Sequence, residues 1–195
     1  NGLGKSIQEL MKPTIDKNQK YDTATFYSIS NCQDGLSRVT LGNFLIKRVV
    51  FEIQEELPQI KNFGTLSPIP GFAEWFSYLD DSKVKTILGN PKQDLSFLKS
   101  SDLKIGDSRI ILNKDALTKL AAHYLINEKN KKGLPINDVT RFHLGNGAIV
   151  EDIIVNANIS EVGFKRSFGI MVNYLYELKN IEKNHEDYIN NKKIV

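Results

Sequence analysis

The chain has 195 residues, 41% hydrophobic and 25% charged, which suits one domain with a sizeable core. Its 26 basic and 23 acidic residues leave a net charge of +3, too balanced to argue for nucleic acid. No apolar run approaches the length of a membrane span, and Cys32, the only cysteine, leaves no intrachain disulfide to form.

The chain starts at Asn1 rather than Met and shows no signal peptide, as expected of a processed chain or a fragment. Gly4-Lys5-Ser6 looks like the end of a P-loop, but the upstream glycine is missing and no strand precedes it. Residues 6–12 read as a short helix stopped by Pro13, followed by a polar loop. Residues 23–30 (TATFYSIS) alternate and are rich in β-branched and aromatic types, so they read as a strand. A glycine-bearing loop follows. Leu41, Leu45, Val49, Ile53 and Leu57 then recur every four residues, which predicts a helix ended by Pro58.

Residues 63–67 form a second strand candidate and 71–79 a short amphipathic helix. Residues 80–108 are weakly patterned, with a turn or two of helix near 94–98. Asn113 suits an N-cap, before a helix with Leu117, Leu120, Ala121, Tyr124 and Leu125 on one side. An apolar run at 149–155 and a helical turn near 160–164 precede a final strand at 169–176 (GIMVNYLY). The Asn-, Lys- and Glu-rich tail from residue 178 reads as exposed helix or frayed end. There is no internal repeat. Strands alternating with helices give an α/β or α+β class around one sheet.

Three stretches could carry chemistry. The strand, glycine loop and helix start around residues 25–57 could cradle an anion, because free N–H groups and the helix dipole point there. Gly35 and Gly42 permit close approach, and Arg38, Lys47 and Arg48 add positive charge. The GxGxxG pattern is absent, so an ordinary connection remains the alternative. In Leu66-Ser67-Pro68-Ile69-Pro70-Gly71-Phe72 the two prolines stiffen the backbone around Ser67. Ser67 is then either a turn residue or a hydroxyl held for catalysis. His143 stands beside the turn signal Asn146-Gly147 and is either structural or catalytic; His123 and His185 lie in a helix and in the tail. Tyr174 and Tyr176 share one strand face, as packing or as hydroxyl donors. No His or Cys recurs at metal-ligand spacing, so no metal is expected.

The motifs together resemble the malonyl-CoA decarboxylase family. The residues that carry the resemblance are Phe26-Tyr27-Ser28-Ile29-Ser30, Gly35-Leu36, Leu41-Gly42 and Phe44 to Val50. They continue through LSPIPGF at 66–72, Tyr124-Leu125, Glu128-Lys129, Phe142-His143-Leu144, Asn146-Gly147-Ala148, and Gly169 to Tyr174 with Tyr176. The resemblance implies a mixed sheet flanked by helices, similar to the GNAT acetyltransferases, that lacks its first strands and leaves the residue 23 strand near an edge. It implies that residues 1–195 form one domain, the latter catalytic part of such an enzyme, without the family's N-terminal helical domain and the homo-oligomer formed through it.

The implied activity is decarboxylation of malonyl-CoA to acetyl-CoA and CO₂, with no cofactor, since the CoA moiety belongs to the substrate. The catalytic residues fall on Ser67, His143 and Tyr176. The CoA site falls on Gly35, Ser37, Arg38, Val39, Thr40, Leu41, Gly42 and Asn43, with Ser67 and His143 beside the acyl group. His143 is the expected proton donor and Ser67 the partner of the substrate carboxylate or enolate oxygen. The family's compartments are mitochondrial, peroxisomal and cytosolic, and Lys193-Ile194-Val195 does not match a peroxisomal tripeptide. Thr40 stands where the family carries a glutamate, Gly145 replaces a longer polar residue, and Glu151 to Val155 replace a tryptophan-rich stretch. A CoA-dependent acyltransferase and a non-catalytic CoA-binding fragment are the alternative readings.

Overall fold

The computed structural model describes residues 2–12, 21–27 and 41–195, with the side chains of 41–45 and 47 excepted. Among the described residues four strands form one mixed sheet: β1 (Thr23–Phe26), β2 (Asn62–Pro68), β3 (Ile149–Ile154) and β4 (Met171–Leu175), in the order β1-β2-β4-β3. β1 and β2 are parallel and are joined through the long helix α2 (Leu41–Glu56); a shorter helix, α1 (Ile7–Leu10), precedes β1. β4 runs antiparallel to both β2 and β3. Among the described residues β1 pairs on one side only, which is the edge position expected of this strand.

The central strands are buried on both faces, whereas β3 is half-buried and exposes Glu151 and Asp152, where its register to β4 slips. Side chains alternate along a strand, so the pairing of Thr65 with Tyr174 and Ser67 with Val172 puts these four on one face. That face joins the main core, built from Phe63, Val172, Tyr174 and Tyr176 with Ile46 and Val50 of α2. The opposite face carries a small cluster of Leu66, Met171 and Ala157, with Ile7 of α1 against it.

The connection from β2 to β3 is helical: α3 (Phe72–Tyr78), α4 (Asp81–Leu88), a 3-10 turn at Ser96–Lys99, α5 (Ser108–Leu112), α6 (Lys114–Ile126) and α7 (Asp138–Gly145). The weakly patterned stretch after residue 80 thus holds two capped helices. The Asp80 carboxylate accepts from the N–H of Lys83 at 2.7 Å, and Asp107 accepts from that of Arg109 at 2.9 Å. Asn113 precedes α6 as expected but does not cap it. Its amide instead donates to the Arg109 carbonyl and accepts from Gln93. After β3 come α8 (Glu161–Ser167), β4 and α9 (Ile181–Asn191). The polar tail is mostly this helix, docked through Ile181, Asn184 and Tyr188.

Two glycines are required by geometry. Gly71 starts α3 at φ +81°, and a Cβ there would lie 2.7 Å from the Tyr124 hydroxyl. Gly147 has φ +79°, and a Cβ would collide with the Ile181 carbonyl where α9 packs on the turn between α7 and β3.

Candidate active site

Ser67 lies one residue from the end of β2, on the face that turns toward α7. Pro68 and Pro70 fix the backbone as it leaves the sheet, so the hydroxyl is presented by a stiff segment. His143 lies in the last turn of α7, and the Asn146-Gly147 turn beside it forms the helix exit. The imidazole Nε2 is 3.0 Å from Ser67 Oγ, and Nδ1 is 2.8 Å from the Tyr176 hydroxyl. Ser67 and His143 are only 6% and 4% exposed, and Tyr176 is buried. The three residues expected to be catalytic are therefore one hydrogen-bonded line.

The line has a floor and an end. Tyr174 stacks on the imidazole, with ring centres 4.3 Å apart and planes inclined by 22°. Ser67 also donates to Thr65 Oγ1 at 2.9 Å. One directed arrangement satisfies all of these atoms: Tyr176 donates to Nδ1, Nε2–H donates to Ser67, and Ser67 donates to Thr65. Both imidazole partners are hydroxyls, which accept as well as donate. The same pair therefore serves the protonated ring, with both N–H groups then donating.

Burial alone pushes the His143 pKa down to about 3, so the ring is neutral near pH 7. Burial likewise raises the phenols of Tyr174 and Tyr176 far above the usual tyrosine range. Among the described residues the site is thus buried and uncharged, with its polar atoms paired among themselves.

The expected CoA cradle is only partly visible. Gly35, Ser37, Arg38, Val39 and Thr40 lie outside the described residues, as does Cys32. Leu41, Gly42 and Asn43 form the backbone of the first turn of α2. Arg48 points into solvent and pairs with Glu52 at 2.5 Å. The position of β1 is informative, because its last residue, Phe26, pairs with Thr65, two residues from Ser67. The chain therefore leaves the sheet toward the glycine loop at the same end as Ser67. The other histidines are elsewhere: His123 stacks on Trp75, and His185 donates to the Gly145 carbonyl at 2.6 Å. Among the described residues no three His, Cys, Asp or Glu gather as a metal site.

Sequence reasoning missed three members of this neighbourhood. Thr65 was accessible from the two-residue strand period that links it to Ser67. Asn137 and Thr140 were accessible from the Asn-x-x-Thr spacing of an N-cap, had α7 been recognised.

A buried serine–histidine–tyrosine line on a mixed sheet is an arrangement whose groups are able to pass a proton. Comparison with known proteins identifies the lineage: the model of the malonyl-CoA decarboxylase C-terminal domain matches residues 1–195, and the chain belongs to that family. It is 36% identical over 215 residues to the mitochondrial malonyl-CoA decarboxylase of Anser anser anser, which covers 98% of this chain and 42% of the goose protein. It is 35% identical over 213 residues to the mitochondrial malonyl-CoA decarboxylase of Mus musculus, covering 100% of this chain and 43% of the mouse protein. The crystal structure of malonyl-CoA decarboxylase from Cupriavidus metallidurans superposes with a TM-score of 0.77 at 38% identity, over 94% of this chain and 48% of that one. The chain thus spans less than half the length of these relatives.

Proposed function

We propose that the protein to which this chain belongs decarboxylates malonyl-CoA, giving acetyl-CoA and CO₂. The observation that carries the reading is the buried line from Ser67 through His143 to Tyr176. Family membership and the names of the goose and mouse relatives support it.

Loss of CO₂ breaks the bond between the carboxyl carbon and Cα and leaves its electron pair on the thioester enolate. One proton must then reach Cα. Ser67 donates a hydrogen bond to the malonyl carboxylate or, after CO₂ leaves, to the enolate oxygen. Its O–H turns from Thr65 to do so, and a donor carried on the proline-stiffened segment stabilises the developing charge. His143 is the proton donor, although burial alone holds its ring neutral. A malonyl carboxylate placed beside it supplies the negative charge that raises its proton affinity. Substrate binding then draws one proton from solvent onto the ring, and the enolate carbon consumes it. Tyr176 holds Nδ1 in both protonation states. This route calls on no cofactor. The backbone of Leu41, Gly42 and Asn43, continuing from residues 35–40, receives the CoA diphosphate.

The names of the relatives support a mitochondrial location over the peroxisomal and cytosolic alternatives. Assembly into oligomers is assigned to parts of the protein outside this chain.

The test is release of CO₂ and acetyl-CoA from malonyl-CoA by the full-length protein. Turnover that falls by at least about 10²-fold in His143→Ala is expected. CoA binding without CO₂ release would favour the non-catalytic reading, and acetyl transfer to an amine without CO₂ release the acyltransferase.

A further inference from the structure

We infer that Asn137 is a positioning residue that sets the separation of Ser67 and His143. The inference rests on the reading of the site given above and extends it to a side chain that does not touch the reacting atoms.

Asn137 is 2% exposed and joins the two segments that carry the pair. Its oxygen accepts from the Thr140 N–H at 2.9 Å and from the Thr140 hydroxyl at 3.1 Å, which caps α7. Its nitrogen donates to the Pro70 carbonyl at 2.9 Å, at the end of the proline-stiffened segment that starts from Ser67. The backbone N–H on one side and the carbonyl on the other leave no freedom in how the amide is turned. A closed frame results. One side is the stretch from Ser67 to Pro70, with two φ angles fixed by proline. The other is α7 from its cap to His143. The two sides are tied at one end by Asn137 to Pro70 and at the other by His143 to Ser67.

The same cap reaches the floor of the site. Thr140 donates to Asn137, so its oxygen is left to accept from the Tyr174 hydroxyl at 2.8 Å, and Tyr174 is the ring under His143. Asn137 therefore governs both the height of the imidazole along α7 and the tilt of the surface it rests on. Tyr124 also donates to the Pro70 carbonyl, at 3.0 Å, and its hydroxyl lies beside the Asn137 side chain, but it belongs to α6 and makes no bond to the cap at Thr140, so the direct tie between the segment and α7 is Asn137. Loss of the Asn137 tie lets α7 slide against the segment, and misplacement of catalytic groups by about 1 Å costs on the order of 10²-fold in rate.

The experiment compares Asn137→Ser, Asn137→Asp and Tyr124→Phe in the full-length protein. Both Asn137 variants keep a capping oxygen but lack the amide donor to Pro70. The Ser variant carries the test if a carboxylate at this buried position prevents folding. In a folded variant kcat is expected to fall about 10- to 100-fold, with KM for malonyl-CoA changed less than about twofold. Tyr124→Phe is expected to keep kcat within about twofold. Equal kcat in parent and Asn137→Ser, or an equal loss in Tyr124→Phe, overturns the inference.

A second readout does not depend on turnover. The ¹⁵N and ring-proton signals of His143, seen by selective histidine labelling, should shift in Asn137→Ser and stay in place in Tyr124→Phe. An unmoved His143 signal in Asn137→Ser overturns the inference as well. If the parent protein fails to decarboxylate malonyl-CoA, the functional reading falls, while these signals still decide the role of Asn137.

Discussion

Two histidines in this fold lie flat against an aromatic ring, and their surroundings differ in every other respect. His143 stacks on Tyr174 at 4.3 Å, is buried, and has a hydroxyl on each nitrogen. His123 stacks on Trp75 at 6.1 Å, is partly open to solvent, and has the Glu128 carboxylate 3.4 Å from Nε2. His123 thus has a carboxylate within reach and a partly exposed ring. Among the described residues the hydrogen-bond partners of His143 are both hydroxyls, burial holds its ring neutral, and an incoming anion would change that balance. An aromatic platform fixes orientation in both places; on the function proposed above, the partner chemistry separates the histidine that moves a proton from the one that does not.

The sharpest way to break this contrast is to remove each ring in turn. His143→Ala should lower the turnover of malonyl-CoA by the full-length protein by about 10²- to 10⁴-fold, the usual range for a positioned acid. His123→Ala should leave it within about threefold. Comparable losses would mean that the partner chemistry does not distinguish the two.

Proton linkage gives the next largest effect. The folded pKa of His143 is about 3, below the ordinary histidine value of 6.5. Between those values the unfolded chain binds more protons than the folded one, so stability rises with pH there. Acidification from about pH 6.5 toward 3 therefore removes stability, with a limiting slope of about 1.4 kcal/mol per pH unit from this group. Urea unfolding at a series of pH values should show that slope in the parent protein and a flatter one in His143→Gln. The same profile in both proteins would place the imidazole in water.

Tyr176→Phe tests the hydroxyl on Nδ1. It leaves a buried ring nitrogen without its partner, a loss of about 1–3 kcal/mol. Urea midpoints should fall accordingly, and kcat by about tenfold, because the imidazole loses its orienting hydrogen bond. An unchanged kcat would reduce Tyr176 to packing.

The sequence made much of this site legible because its determinants are local. LSPIPGF marks Ser67 through proline stiffness, and strand period two places Tyr174 and Tyr176 on a common face. The helix from Leu41 is evident from its four-residue apolar spacing, and the fall of β1 at the sheet edge followed from the family pattern. What escaped depends on distance in the chain. α7 contains Thr140, His143 and Gly145, which dilute helical periodicity, and its stability comes from the Asn137 cap and from packing on β3 and α9. The pairing of Asn137 with Pro70 spans 67 positions, so no local pattern announces it. The neutrality of His143 is also a property of the packed core. In isolation its sequence neighbours predict an ordinary near-neutral titration.

The smallest effect lies at the other histidine. His123 and Glu128 are close enough to pair, but their side chains are 26% and 30% exposed, and the carboxylate keeps much of its hydration. An ion pair at such a place contributes about 0–1 kcal/mol, because solvent screening weakens the attraction and ordering two side chains opposes it. Glu128→Gln keeps the shape and a hydrogen-bonding oxygen while removing the charge. The expected result is a loss of less than about 1 kcal/mol, smaller still in high salt, with kcat unchanged. A loss several times larger would show that His123 depends on its carboxylate as heavily as His143 depends on its hydroxyls. The two stacked rings would then differ in degree of burial rather than in kind.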